Sequence, residues 1–497
     1  MTAPISLYST LSRSLEPLVT IEPGHVRMYV CGMTVYDYCH IGHARAMLTF
    51  DVIVRHLRHR GWKVTFVRNH TDVDDKIIKR AAEEGVDALA LAQRYTDALD
   101  EDMAGLGLVT PDHEPRVSGH IDDIVALIAA LVERGHAYRA DNGDVYFAVE
   151  TFPAYGKLSG KRLDDLRAGE RVAVESAKRH PGDFALWKAW TGEASEPRWE
   201  SPWGPGRPGW HIECSAMSRH HLGEQFDIHG GGIDLVFPHH ENEIAQSECG
   251  TGHAPYARYW LHNGHLTLDK EKMSKSLGNV VRIRDILREV PGEALRLLYL
   301  DTHYRSPLPY STERLATTLS ALDRLYTAKE TALEVEAAGQ DVAIAQLGPY
   351  AQEAHRLATG FARAFDAAMD EDFNTAEAIA HLMELVRAVN RFGNDKKQRA
   401  KGKAVGAAAA KAFALAGEVL GIGAMSPAAF FDEVKEKRLR AQGRSAADVD
   451  ARIAARADAR ARKAWDEADA IRVELDAQGI VLMDTQQGST WRMRVDA

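Results

Sequence analysis

Cysteine is scarce in this chain. Its 497 residues hold four, Cys31, Cys39, Cys214 and Cys249, too few for a disulfide framework, so a reducing compartment is expected. Long apolar runs are missing too. Nothing approaches the ~20 residues that cross a bilayer, and the alanine-rich stretch over 405–420 is broken by Lys411 and Glu418. Residues 1–13 lack the basic stretch and apolar segment of a secretory signal, which makes a cytoplasmic location the expectation. There is no excess of positive charge, the formal net charge being −10. That excludes a uniformly basic coat for nucleic acid but leaves room for basic residues gathered on one face. No internal repeat or low-complexity tract is present.

What is present suits a soluble globular protein: 45% hydrophobic and 27% charged residues, with enough length for three or four units. The run VRMYVC over 26–31 predicts a buried strand closed by Gly32. Met47, Phe50, Val54 and Leu57 follow at helical offsets, and KVTFVR over 63–68 predicts a second strand. Strand, helix, strand is a βαβ unit, so a parallel α/β sheet is expected. Residues 116–207 read as an insertion that leaves the sheet and returns near Trp210, because SPWGPGRPGW over 201–210 would not carry a helix. From about Thr312 helical patterning dominates, with Leu382, Leu385, Val386 and Val389 as one apolar stripe. Residues 425–427 read as a linker to a small, charge-dense unit. The expected division is a split Rossmann-like domain, 1–115 with 208–255; the insertion, 116–207; a loop and stem-contact region, 256–310; a helical bundle, 311–424; and a C-terminal α+β unit, 433–497.

Two segments carry phosphate chemistry. His40-Ile41-Gly42-His43 falls where the first strand turns into the first helix. There the helix N-terminus offers unpaired N–H groups, Gly42 permits close approach, and two imidazoles can donate to phosphate oxygens. Lys272-Met273-Ser274-Lys275-Ser276 has the lysines and small polar residues of a loop that clamps a triphosphate. Each has a bland alternative, ordinary helix-start histidines and a solvated loop, but together and in this order they match the paired signatures of class I aminoacyl-tRNA synthetases. A third group is metal-like. His239 and Glu243 are four apart on an expected helix opened by Pro238; with Cys31 and Cys214 they form a plausible zinc set. Ile244 excludes the HExxH pattern of a zinc peptidase. Taken singly, each cysteine reads as a small buried hydrophobe.

Over nearly its whole length the chain resembles cysteinyl-tRNA synthetases, through CGMTVYDYCHIGHAR from Cys31, PGWHIECSAMS from Pro208, FDIHGGGIDLVFPHHENEIAQ from Phe226 and EKMSKSLGN from Glu271. The resemblance implies one catalytic zinc held by Cys31, Cys214, His239 and Glu243, with Cys39 and Cys249 outside it. It implies activation of L-cysteine with ATP and Mg²⁺, and transfer to the 2′-hydroxyl of the terminal adenosine of tRNA(Cys). His40, His43, Lys272 and Lys275 would stabilise the phosphates, with Gly42, Gly230, Gly231, Gly232 and Ser274 completing the ATP site. Thr71, Trp210 and Asp234 would form the amino-acid pocket, Trp210 and Thr71 having core packing and a strand-end hydroxyl as alternatives. Zinc coordinates a thiolate strongly and an alcohol poorly, which would separate cysteine from serine without editing; the substrate sulfur would have to add to four ligands or displace one.

A related ligase that transfers cysteine to a small amine would share the catalytic residues but lack the C-terminal unit. Here Arg452, Arg456, Arg460 and Lys463 are spaced as one basic helical stripe. Trp491 is expected to stack on an unpaired anticodon base, with Arg492 close by for phosphate. A solvated helix face and core packing are the alternatives. A monomer is the expected state, with no membrane partner.

Overall fold

Two apolar runs begin the central sheet. His25–Val30 and Lys63–Arg68 pair in parallel, His25 opposite Lys63 and Val30 opposite Arg68. The helix Ile41–His59 connects them and buries Met47, Phe50, Val54 and Leu57, the face expected from the sequence. The structure, a computed structural model, describes residues 4–162, 177–193, 195–268, 271–272, 281–485 and 488–495.

Two further strands complete a four-stranded parallel sheet in the order Ala257–Asn263, Phe226–Gly232, His25–Val30, Lys63–Arg68. The expected boundary at 255 therefore falls too early. ARYWLHN mixes charged, aromatic and apolar residues, and this hides the strand from a search for an apolar run. The two faces of the sheet bury separate cores, since alternate side chains point to opposite sides. Val26, Met28 and Val30 join the first helix and the bundle. Tyr29 and Val67 pack with Ile124, Leu127 and Leu131 on the opposite face.

Those last three lie on the helix Ile121–Glu133, which packs against the helices Trp210–Leu222 and Glu241–Thr251. The insertion expected from 116 thus leaves the sheet only after this helix. It then forms an antiparallel sheet of Ala137–Arg139, Val145–Phe147, Phe184–Ala189 and Gly206–Pro208. The bundle comprises Thr312–Ala338, Pro349–Asp370, Thr375–Asn394 and Lys403–Leu420, and Leu382, Leu385, Val386 and Val389 are all buried in it.

Residues 425–427 are not a free linker. The buried Glu293 carboxylate accepts from the N–H groups of Gly423 and Ala424, at 2.9 and 3.1 Å, and Ser426 caps the helix Pro427–Ala441. This helix runs through the boundary expected at 433, with Phe430 stacked on Tyr326 at 4.0 Å. Beyond it, Ala446–Ala461 and Trp465–Ala477 pack together, and Ile480–Thr485 pairs with Gly488–Met493 as a hairpin. Among the described residues no helix is long and apolar enough to cross a membrane.

Candidate active site and metal centre

The C-terminal ends of the two middle strands bring the chemistry together. Cys31 directly follows His25–Val30, Cys214 lies one turn into Trp210–Leu222, and Glu243 is in the first turn of Glu241–Thr251. His239 precedes that helix. Phe237 has extended backbone (φ −141°, ψ 131°) just before Pro238, and a widened helical turn then runs into Glu241–Thr251 and brings His239 to Glu243.

Cys31 Sγ is 3.7 Å from Cys214 Sγ and 3.5 Å from Glu243 Oε1. His239 Nε2 is 3.0 Å from the same oxygen. One ligand atom from each of the four lies within 4.8 Å of the others. The hydrogen bond with Cys31 is the foremost cause that brings the Cys214 thiol down to about 6, against the penalty of burial. Burial also disfavours a charged His239, but Glu243 and Cys214 outweigh it and hold its pKa up to about 10. A buried carboxylate beside two thiols and an imidazole is a pocket that a divalent cation can enter. Two thiols, an imidazole and a carboxylate fit zinc. Cys39 and Cys249 are buried elsewhere.

Around this set lies a shell of imidazoles that sequence reasoning missed. His211 Nδ1 is 2.9 Å from His239 Nδ1, and His229 Nε2 is 2.8 Å from Glu243 Oε2. His240 Nε2 is 3.3 Å from Cys31 Sγ, while its Nδ1 is 2.8 Å from His262. Such contacts orient the groups that face a metal. The available signals were a histidine inside a buried strand, FDIHGGG, and the doubled histidine of PHHENE.

A cleft of about 380 Å³ adjoins the cluster and is lined by Cys31, His40, Gly42, His43, Trp210, Gly232 and Asp234. His40 caps the first helix, its Nδ1 accepting from the Gly42 N–H at 3.2 Å, and its ring stacks on His43 with centroids 3.5 Å apart. Arg68 and Lys76 also line the cleft and add cations not foreseen. Trp210 is not core; it is 39% exposed. Thr71 is buried and its hydroxyl donates to Glu213 at 3.2 Å.

The three glycines divide. A Cβ at Gly230 would run into the Phe50 ring, and one at Gly231 would lie 2.9 Å from His240. Both positions are small because protein packs on them, not to admit a nucleotide; Gly232 alone faces the cleft. Lys272 pairs by its backbone with Thr267, while Ser274 and Lys275 lie outside the described residues.

The C-terminal unit corrects the expected basic stripe. Arg452 pairs with Glu474, Arg456 is buried and donates to Ser489 at 3.2 Å, and Lys463 turns at φ 60° beyond the helix end. Arg460 is exposed. The stripe fails because the hairpin covers the middle of that face. Trp491, expected to be exposed, is partly buried; its Nε1 donates to Asp450 at 2.7 Å and Lys435 lies 3.8 Å over its ring. Arg492 pairs with Glu330 at 2.6 Å.

Residues 17–320 match the family model of the class I (C) tRNA synthetase catalytic domain. Residues 364–424 match the DALR domain, and 444–492 the cysteinyl-tRNA ligase anticodon binding domain. A cysteine–tRNA ligase of Alkalilimnicola ehrlichii is 53% identical over 494 residues, covering 98% of this chain and 99% of that one. The chain belongs to the cysteinyl-tRNA synthetase family. The ligase of Methylococcus capsulatus is 52% identical, with 98% and 99% covered. Among solved structures, methionyl-tRNA synthetase of Mycobacterium tuberculosis bound by methionyl-adenylate shares the fold at 15% identity, with a TM-score of 0.60 over 80% of this chain and 92% of that one.

Proposed function

We propose that the cleft activates L-cysteine with ATP and that the chain then transfers cysteine to the 3′-terminal adenosine of tRNA(Cys). The observation that carries this reading is the adjacency of two sites: Cys31 belongs both to the four-ligand cluster and to the wall of the cleft that holds the His40–His43 motif. A zinc ion held by Cys31, Cys214, His239 and Glu243 would supply selectivity for a thiolate over an alcohol.

The protein's own groups do the positioning. Asp234 faces the cleft where a substrate ammonium would sit, and the Trp210 ring walls the pocket above His239. Thr71 supports the wall from behind through Glu213. One oxygen of the cysteine carboxylate attacks the α-phosphorus as the bond to pyrophosphate breaks. His40 and His43 stabilise the phosphates, together with Lys272, Ser274, Lys275 and an accompanying Mg²⁺. In the second step the 2′-hydroxyl of the terminal adenosine attacks the cysteinyl carbonyl and AMP leaves.

Cysteine-dependent ATP–pyrophosphate exchange, with metal content measured on the same sample and charging of tRNA(Cys) alongside, tests the reading. Exchange with cysteine and not serine is expected, together with charged tRNA. Exchange without charging would point to a small-amine acceptor, and no exchange by folded, zinc-loaded protein would overturn the assignment.

A further inference from the structure

A second group of imidazoles lies at the far end of the helix that carries Cys214. His220 and His221 occupy the last turn of Trp210–Leu222, and His120 is the N-cap of Ile121–Glu133. One ring nitrogen of each lies within 4.8 Å of the others. From Cys214 to His221 is about 10 Å of helix rise, so the group is separate from the catalytic cluster.

The three rings are arranged as ligands. His120 Nδ1 is 2.8 Å from the Arg116 carbonyl oxygen. A carbonyl only accepts, so this nitrogen carries the proton and Nε2 keeps its lone pair. His220 Nδ1 is 3.0 Å from Asp123 Oδ2, with the same consequence for the neutral ring. A backbone carbonyl behind one imidazole and a carboxylate behind another are the partners that fix metal-binding histidines. His221 adds an independent observation: its Nε2 is buried and has no hydrogen-bond partner. Leaving such an atom unsatisfied is costly, and a metal bond would relieve it. The His113 ring stacks on that of His221, with centroids 4.7 Å apart and planes 26° apart, and fixes its orientation.

We infer that His120, His220 and His221 form a second divalent-metal site, a three-imidazole face suited to a borderline cation such as Zn²⁺ or Ni²⁺. Three nitrogen donors leave the remaining coordination to water, and the half-exposed His220 side chain opens the site to solvent. The cation lies at the C-terminal end of one helix dipole, with Asp123 supplying negative charge and Arg219 neutralised by Glu224 at 3.3 Å. It joins the two helices that flank the insertion, at their ends away from it, so its role is to clamp one helix to the other. Binding to the folded chain alone then raises thermal stability.

The inference does not rest on the catalytic reading, and the test keeps the two apart. Full-length protein is equilibrated with micromolar Zn²⁺ and its bound metal counted for the wild type, His220→Ala and Cys214→Ser. The wild type is expected to hold one zinc more than His220→Ala, whose cysteine-dependent exchange is unchanged. With Co²⁺ in place of zinc, Cys214→Ser weakens the thiolate charge-transfer absorption but keeps the visible bands of the histidine site, and His220→Ala does the reverse. Added Ni²⁺ raises the Tm of the wild type and not that of His220→Ala. If His220→Ala proves misfolded by circular dichroism, His120→Gln is read in the same way. Equal metal content in the wild type and both histidine variants, or a Kd at this site weaker than about 0.1 mM, overturns the inference.

Discussion

Trp210 lies over His239 with ring centroids 4.4 Å apart and planes 27° apart. The indole thereby covers one face of a proposed metal ligand while its other surface borders the cleft. Replacing it by alanine opens the cysteine side of the site to water and leaves the phosphate side intact. Trp210→Ala is expected to raise KM for cysteine by about tenfold, or about 1.4 kcal/mol, with KM for ATP within about twofold. Pyrophosphate exchange with each substrate varied in turn checks this. An equal rise in both KM values would make the indole a general packing residue.

The adjacent glycines give a prediction that separates packing from binding. Gly230→Ala drives a methyl group into Phe50, a buried ring with no room to move, and is expected to lower stability by about 1–3 kcal/mol. A Cβ at Gly232 would meet only the Asp234 carboxylate, at 2.5 Å, and an exposed side chain can turn aside. Gly232→Ala is therefore expected to retain its urea midpoint and lose exchange activity. If the two variants exchanged these phenotypes, Gly230 would be the nucleotide contact and Gly232 the packing position.

The features legible in the sequence were those whose signal is local. The strand at 25–30 and its helix have the right periodicities, and His239 and Glu243 have a spacing that brings them together across the widened turn after Phe237. Features that depend on distant packing were not legible. Arg456 looks like a surface cation on a helical wheel until a hairpin 33 residues away covers it. His229 and His240 look like isolated histidines until three elements converge on Cys31 and Glu243. Gly230 looks like a nucleotide contact until Phe50 is seen against it.

The first helix also carries a pH-sensitive contact with the bundle. His56 is buried with Nε2 2.9 Å from Asp370 Oδ1. Burial lowers its pKa below 6.5, and the hydrogen bond to Asp370 only partly opposes this. Asp366, His59 and Arg60 are the other charged or titratable groups around it. The folded state thus resists a proton that the unfolded chain accepts. Its contribution is complete above the unfolded value and is lost as pH falls from about 6.5 toward the folded pKa. The Tm of the wild type is expected to decline over this range, and that of His56→Gln to decline less steeply. Parallel slopes in the two proteins would remove His56 as the cause.

A buried ion pair ties the same helix to the segment beyond the catalytic sheet. Arg296 Nη2 lies 2.5 Å from Asp51 Oδ2, with both side chains 1% exposed. Arg296 also donates through Nε to the Leu420 carbonyl at 2.9 Å and through Nη1 to that of Leu106 at 3.2 Å. Asp51 accepts from the Val109 N–H at 2.7 Å. The pair thus joins the first helix, the loop after Gly105 and the end of Lys403–Leu420. Burying two charges is expensive, and only this complete set of hydrogen bonds offsets the loss of water. Asp51 keeps Arg55 Nε at 3.0 Å, so the loss falls on the buried carboxylate's second partner and on the orphaned carbonyls: Arg296→Met is expected to lower stability by about 1–3 kcal/mol, whereas the double variant with Asp51→Asn loses less than the sum of the two single changes. Urea unfolding of the three variants measures the coupling. Strict additivity would mean that the carbonyl contacts of Arg296, and not its charge, hold the junction.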